Sequence, residues 1–429
     1  MNYPLSGTSL QQRIARRFFY GWAIVAVAML GIFASGPAQS HTFSVFVGPI
    51  AKELGLSQTG MAFSYGLATM AAAFCLPLMG RLLDRVGARR MLALVTILFG
   101  TACTAFGSVA GIAWLALGFA ALRFLGQGSL MLGSSNMVSQ WFQQRRGFAL
   151  GLMALGFGIS MAVHPNVSQV LIELVGWREA WLWLGVSTWL LLLPPVLFFA
   201  VSRPEDMGLH PDGIRTAPQS DTIFNPSSTA SIAESPNFTL ADAVRTPAFY
   251  IVAAGLFTLS MLVTTLHFFQ VSIFAEAGLG AAKATTYFTV SAVTMVAAMP
   301  LVGRMLDRYR TEYMFAGGLL VLTAALALAG AISGIISALV YAVVFGLANT
   351  IGMTYFTFMW PRYFGRTHLG SIQGTGQTIS VVGASLGPLP LGLSKDLFQS
   401  YDPMLLTLAV IPVCVAIVAA LYLRPPVHL

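Results

Sequence analysis

One arginine and three histidines stand inside long apolar stretches of this chain, and no other side chains are better placed to do chemistry. Arg123 lies in the run ALGFAALRFLGQGSLMLG with no acid beside it. A charge at that depth of a bilayer is costly unless it faces protein or water, so Arg123 is expected to hold a substrate anion or a coupling charge. The competing reading is an arginine bonded to carbonyls of neighbouring helices. His41, His164 and His267 fall in three further apolar runs. Imidazole titrates close to neutral pH, so a cavity-facing histidine can carry a proton or bond a substrate oxygen, although a single buried histidine is more often a packing residue. Gln39, after the Gly36-Pro37 break, and Gln270, Tyr287, Asn349, Tyr355 and Gln377 complete the candidate set. The same residue types also tie helix to helix. No Asp or Glu falls in the middle of an apolar run, which argues against a carboxylate proton relay. Cys75, Cys103 and Cys414 show no CxxC spacing, and no HExxH is present. Neither a metal nor a cofactor is expected, and an intramembrane enzyme is disfavoured.

The elements that must position these residues follow from composition. Of 429 residues, 56% are hydrophobic and 9% charged, where soluble domains carry roughly a quarter charged residues. The chain therefore reads as an all-α membrane protein. A bilayer asks for roughly 20 apolar residues per helix. Cutting at polar and Gly/Pro punctuation predicts twelve helices, near 18–47, 58–80, 88–110, 112–140, 147–173, 177–201, 247–275, 284–303, 313–334, 336–360, 369–394 and 402–423. With both termini cytoplasmic, eighteen of the 23 basic residues fall inside and only Lys52, Arg178, Lys283 and Lys395 outside, with Arg123 within a helix. That bias is the positive-inside pattern. It accounts for the net charge of +8 without any nucleic-acid partner. The expected location is the plasma membrane, the inner membrane if the source is bacterial.

The chain divides into a cytoplasmic N-terminus (1–17), a six-helix half (18–201), a cytoplasmic linker (202–242), a second six-helix half (243–423) and a cytoplasmic C-terminus (424–429). The linker is rich in Pro, Ser, Thr and Asp. The halves repeat: GRLLDRVGARR at 80–90 answers GRMLDRYRTEY at 303–313. The same offset takes Gly147 to Gly370, Gly151 to Gly374 and Pro165 to Pro388. Two six-helix pseudo-repeats of this kind are a transporter architecture, with a substrate site between the halves near the bilayer midplane.

Gly80, Arg81, Asp84, Arg85, Gly87 and Arg89 resemble the signature between the second and third helices of the major facilitator superfamily. With the answering Gly303, Arg304, Asp307 and Arg308, the resemblance implies a cytoplasmic gate rather than a substrate contact. Trp141, Phe142, Arg145, Arg146, Gly147, Ala149, Gly151, Ala154, Gly156 and Ser160 look like the fifth-helix signature of the monocarboxylate transporters. Tyr20, Gly21 and Trp22 resemble the oxalate/formate antiporter group. Arg123 resembles the superfamily's fourth-helix arginine, with the following glycines, Gly126 and Gly128, shifted.

Two features depart from that branch. Where the monocarboxylate family has an Asp and an Arg in the eighth helix, this chain has Met295 and Met299, and its eleventh-helix segment GTGQTISVVGASLGP holds no basic residue. The GxxxGP pattern of drug exporters falls in the eleventh helix, at Gly383, Gly387 and Pro388, instead of the fifth. The reading is a monomeric secondary transporter of a small organic solute, a carboxylate first, with a proton as the candidate coupling ion. The rivals are a transporter of a neutral vitamin-like or aromatic metabolite or drug, and a non-transporting membrane receptor.

Overall fold

A computed structural model of the chain describes residues 8–213, 238–365 and 369–424. Among them, nine helices are long and apolar enough to cross a membrane unaided. One of the nine, Arg146–Phe199, turns at Gly176 (φ 80°) and supplies both the fifth and the sixth spans. The first span is Gly21–Ala34 followed, after a short 3₁₀ turn at Gly36–Ala38, by Ser40–Leu54. The eleventh is Leu369–Leu386 continued by Pro388–Phe398. With these two broken spans the chain makes the twelve that the hydropathy pattern predicts.

Several boundaries move outward from those predicted, among them the end of the eighth span at Arg308 and of the eleventh at Phe398. The first span runs on to Leu54 because its polar stretch of Ser40, His41, Thr42 and Ser44 is buried against protein. The second continues through the basic run to Val86, where Gly87 at φ 86° stops it and begins the third span, Ala88–Phe106. The tenth reaches Phe364, because Trp360, Tyr363 and Phe364 are buried in an aromatic cluster with Phe249. A short helix, Ser9–Arg17, capped by Thr8, lies bent by 117° from the first span.

The described ends of the linker meet the loop after the second span (Arg89 N–H to Ser202 Oγ), the loop after the fourth (Gln143 N–H to Asp212) and the end of the tenth span (Phe238 N–H to the Phe364 carbonyl), and this side is here called the linker side. Every hydrogen bond between the halves among the described residues lies on the opposite side. Val271 N–H donates to Ser44 Oγ (3.0 Å), and Asn166 Nδ2 donates to Thr289 Oγ1 (3.0 Å). There the backbones also touch: a Cβ on Gly66 would sit 2.4 Å from the Ser385 carbonyl, and one on Gly392 would sit 2.7 Å from that of Gln58. On the linker side a Cβ at Gly80, Gly147, Gly151, Gly303 or Gly374 would meet nothing within 4 Å. The halves are therefore closed together on one side and parted on the linker side.

Candidate functional site

A cavity of about 400 Å³ lies between the halves, lined by Thr69, Arg123, Gln127 and Ser135 from one and by Thr264 and Gln377 from the other. The fourth span positions its cation through an irregularity. Residues Arg123–Leu130 form a π-helical segment, in which Ser129 Oγ donates to the carbonyl of Phe124 five residues back. Such bulges re-aim side chains and concentrate at functional sites. Gly126 is needed here, since a Cβ would collide with Ala38 and Phe99 at 2.5 Å.

Arg123 is buried at 4% exposure, donates from one terminal nitrogen to the Ala38 carbonyl (3.3 Å) and lies 5.0 Å over the Tyr65 ring. The acceptor carbonyl belongs to the break in the first span, where the interrupted helix frees backbone groups. Arg123 Nε has no partner, and neither have Gln127 Oε1 and Thr69 Oγ1, all three on residues that line the same cavity. Among the described residues no carboxylate pairs with Arg123. Buried polar atoms are normally satisfied, so these three are exceptions, and all belong to residues around one cavity.

The three histidines come together, but away from this cavity, inside the closed side. Ser160 Oγ bridges His41 Nε2 and His164 Nδ1, at 3.2 Å each. His267 meets His41 edge-on, 5.8 Å centroid to centroid, and its Nε2 meets Met161 Sδ at 3.3 Å. His41 Nδ1 has no partner. Phe157, Phe288 and Phe345 wall the cluster, which joins His41 and His164 of one half to His267 of the other.

The remaining candidates separate. Gln377 faces the cavity. Gln39 lies beside it, donating to Ser35 Oγ at 3.0 Å and approaching Met131 Sδ at 3.9 Å. Gln270 is held between the Ala284 carbonyl and the Tyr341 hydroxyl, and Tyr287 donates to the Ile335 carbonyl. Tyr355 donates to the Met314 carbonyl, and Asn349 to Phe345 one turn earlier on its own helix. None of these four lines the cavity. Of the gate residues, Arg81, Arg85, Arg304, Asp307 and Arg308 are exposed, Gly80 and Gly303 face open space, and the Asp84 side chain lies outside the described residues.

Sequence reasoning missed Thr69, Gln127 and Ser135. Gln127 stands one turn after Arg123, a spacing that places it on the same helix face, and that was the available signal.

The stretches 20–22 and 141–142 also meet. Trp22 packs on Phe142 at 4.9 Å and Tyr20 on Trp141 at 5.6 Å, while the Tyr20 hydroxyl and Trp141 Nε1 donate to the carbonyls of Phe199 and Val201. They lock the linker-side end of one half and contribute nothing to the cavity.

A family model described as Major Facilitator Superfamily matches residues 21–388. The chain belongs to the major facilitator superfamily. A benzoate transport protein of Acinetobacter baylyi is 23% identical over 91% of this chain and 87% of its own. The oxalate:formate antiporter of Oxalobacter formigenes is 24% identical over 61% of this chain and 56% of its own. Among solved structures, a bacterial homologue of the human lysosomal transporter Spinster, inward-facing and occupied, aligns over 96% of both chains with a TM-score of 0.70 at 14% identity. This major facilitator protein is thus a multi-pass membrane transporter of small solutes, not an enzyme.

Proposed function

We propose that the chain is a secondary transporter that carries a small organic monoanion, a carboxylate, across the plasma membrane by alternating access. Arg123 is its counter-charge. The observation that carries this reading is the buried, carboxylate-free guanidinium of Arg123 lining a cavity shared by both halves, with its Nε unpartnered. One cation among neutral donors suits one negative charge. The relatives that transport benzoate and oxalate or formate point to the same chemistry.

The positive-inside bias places both termini and the linker in the cytoplasm, which makes the parted linker side the inward-open one. The runs at 80–85 and 303–308 then act as the cytoplasmic gate, closing when the opposite side opens. Uptake of labelled benzoate and formate into liposomes holding the purified chain tests the substrate class. Saturable uptake that Arg123→Gln abolishes supports it. Uptake unchanged by Arg123→Gln, or inhibition by neutral aromatic solutes alone, overturns it, and binding without movement would make the chain a receptor.

A further inference from the structure

A second cavity, of about 440 Å³, opens on the linker side of the first half and is lined by four arginines: Arg85, Arg89, Arg90 and Arg203. They come from three chain segments. Arg85 ends the second span, Arg89 and Arg90 open the third, and Arg203 follows the sixth. Arg89 is fixed, donating from its guanidinium to the Leu197 carbonyl (2.7 Å) and from its backbone N–H to Ser202 Oγ (3.2 Å). The one acid lining the cavity, Asp206, accepts from the Arg203 backbone N–H (3.1 Å). Among the described residues none of the four arginines makes an ion pair.

The short helix Ser9–Arg17 borders the cavity through Gln11. Its Gln11, 2% exposed, donates to the Phe198 carbonyl (2.9 Å), and the helix carries Arg13, Arg16 and Arg17. Val86 lines the cavity, and beside it the ends of the second and sixth spans expose Leu82, Leu197 and Phe198 at 42 to 60%. Converging guanidiniums favour planar, bidentate contact with phosphate oxygens, and basic pockets between spans at a membrane interface suit lipid headgroups.

We propose that this cavity binds a phosphate group, carried by an anionic phospholipid whose acyl chains run along the Leu82, Val86 and Phe198 wall. The site is separate from the cavity at Arg123 and stands whether or not the substrate is a carboxylate.

The test is thermal unfolding of the delipidated full chain in neutral detergent. Dioleoyl phosphatidylglycerol, dioleoyl phosphatidylcholine and inorganic phosphate are titrated separately. Phosphatidylglycerol is expected to raise the midpoint by several degrees and phosphatidylcholine not to. Arg90→Gln/Arg203→Gln is expected to weaken the phosphatidylglycerol effect at least tenfold, whereas Arg245→Gln/Arg362→Gln, which removes equal charge elsewhere on the linker side, retains it. Equal loss in both double variants, or none in either, overturns the proposal. Inorganic phosphate matching the lipid would overturn the lipid as bearer. Should the first double variant not fold, a photoactivatable phosphatidylglycerol on the unmodified chain decides. Labelling within 82–90 and 197–207 supports the site, and labelling confined to other segments sinks it.

Discussion

Asp396, near the end of the eleventh span, caps the second span across the molecule: its two oxygens accept from the backbone N–H groups of Gln58 (3.1 Å) and Thr59 (2.8 Å). The bond joins one half to the other on the closed side. Removing a helix cap costs about 1 kcal/mol, roughly a fivefold change in population. Asp396→Ala is therefore expected to raise maleimide labelling of a Ser385→Cys reporter about fivefold, in a background without the three native cysteines. An unchanged labelling rate in Asp396→Ala would show that the cap does not hold the closed side.

A second carboxylate ties the linker to the first half. Asp212 accepts from three successive backbone N–H groups, those of Gln143, Gln144 and Arg145, at 2.8 to 3.2 Å. Burial raises its pKa, and these bonds with the Arg145 charge bring it below the ordinary value. Asp212 also holds a positive φ of 58°, which Asn tolerates and Ala does not. Asp212→Asn should release the loop mildly and Asp212→Ala more, read as faster limited proteolysis within 203–213. Equal cleavage rates for parent and Asp212→Ala refute the tie.

Cavity residues and those away from it make opposite predictions. Thr69→Val and Gln127→Leu each remove one unpartnered polar atom at the cavity, so they should raise KM about three- to tenfold, the worth of one hydrogen bond, with little change in thermal midpoint. Gln270→Leu strands the Tyr341 hydroxyl away from the cavity, so it should lower the midpoint and leave KM alone. The reverse pattern would relocate the site.

What could be read in advance follows from this division. Arg123 stands out in the sequence as a lone cation in an apolar run, and the structure gives it both a carbonyl of the neighbouring first span and a place on the cavity. The histidines read as substrate or coupling residues, because an imidazole in an apolar run looks the same whether it faces a cavity or another imidazole; the structure gathers them in a cluster away from the cavity. Thr69 and Gln127 were not legible, because a neutral polar side chain has the same sequence appearance whether it faces a cavity or a helix. The same ambiguity made Gln270, Tyr287 and Tyr355 look like cavity residues. Asp396 reads as an ordinary loop-end acid, since its partners lie 338 and 337 positions away.

The histidine cluster constrains the break in the first span. A Cβ on Gly36 would lie 2.2 Å from His164 Nδ1, so Gly36→Ala must push the imidazole off Ser160. Overpacking of this kind costs about 1 to 3 kcal/mol and should lower the thermal midpoint. His164→Ala added to Gly36→Ala should recover part of the loss by emptying the space. A double variant that is simply the sum of the two single losses would mean that the clash is not the cause.

Two glycines on opposite sides test whether the halves rock. Gly66 sits against the Ser385 carbonyl, and because that atom is backbone no rotamer change relieves a side chain there. Gly66→Val should force the second and eleventh spans apart and increase labelling of Ser385→Cys. Gly303 faces open space on the parted side, so Gly303→Val fits the present arrangement without strain. If transport requires the linker side to close, helices that must approach there cannot accommodate the added isopropyl group. Gly303→Val is then expected to keep the parent's fold and low Ser385→Cys labelling while uptake falls at least tenfold. Uptake at the parental rate would mean that the linker-side ends of the spans do not come together at Gly303.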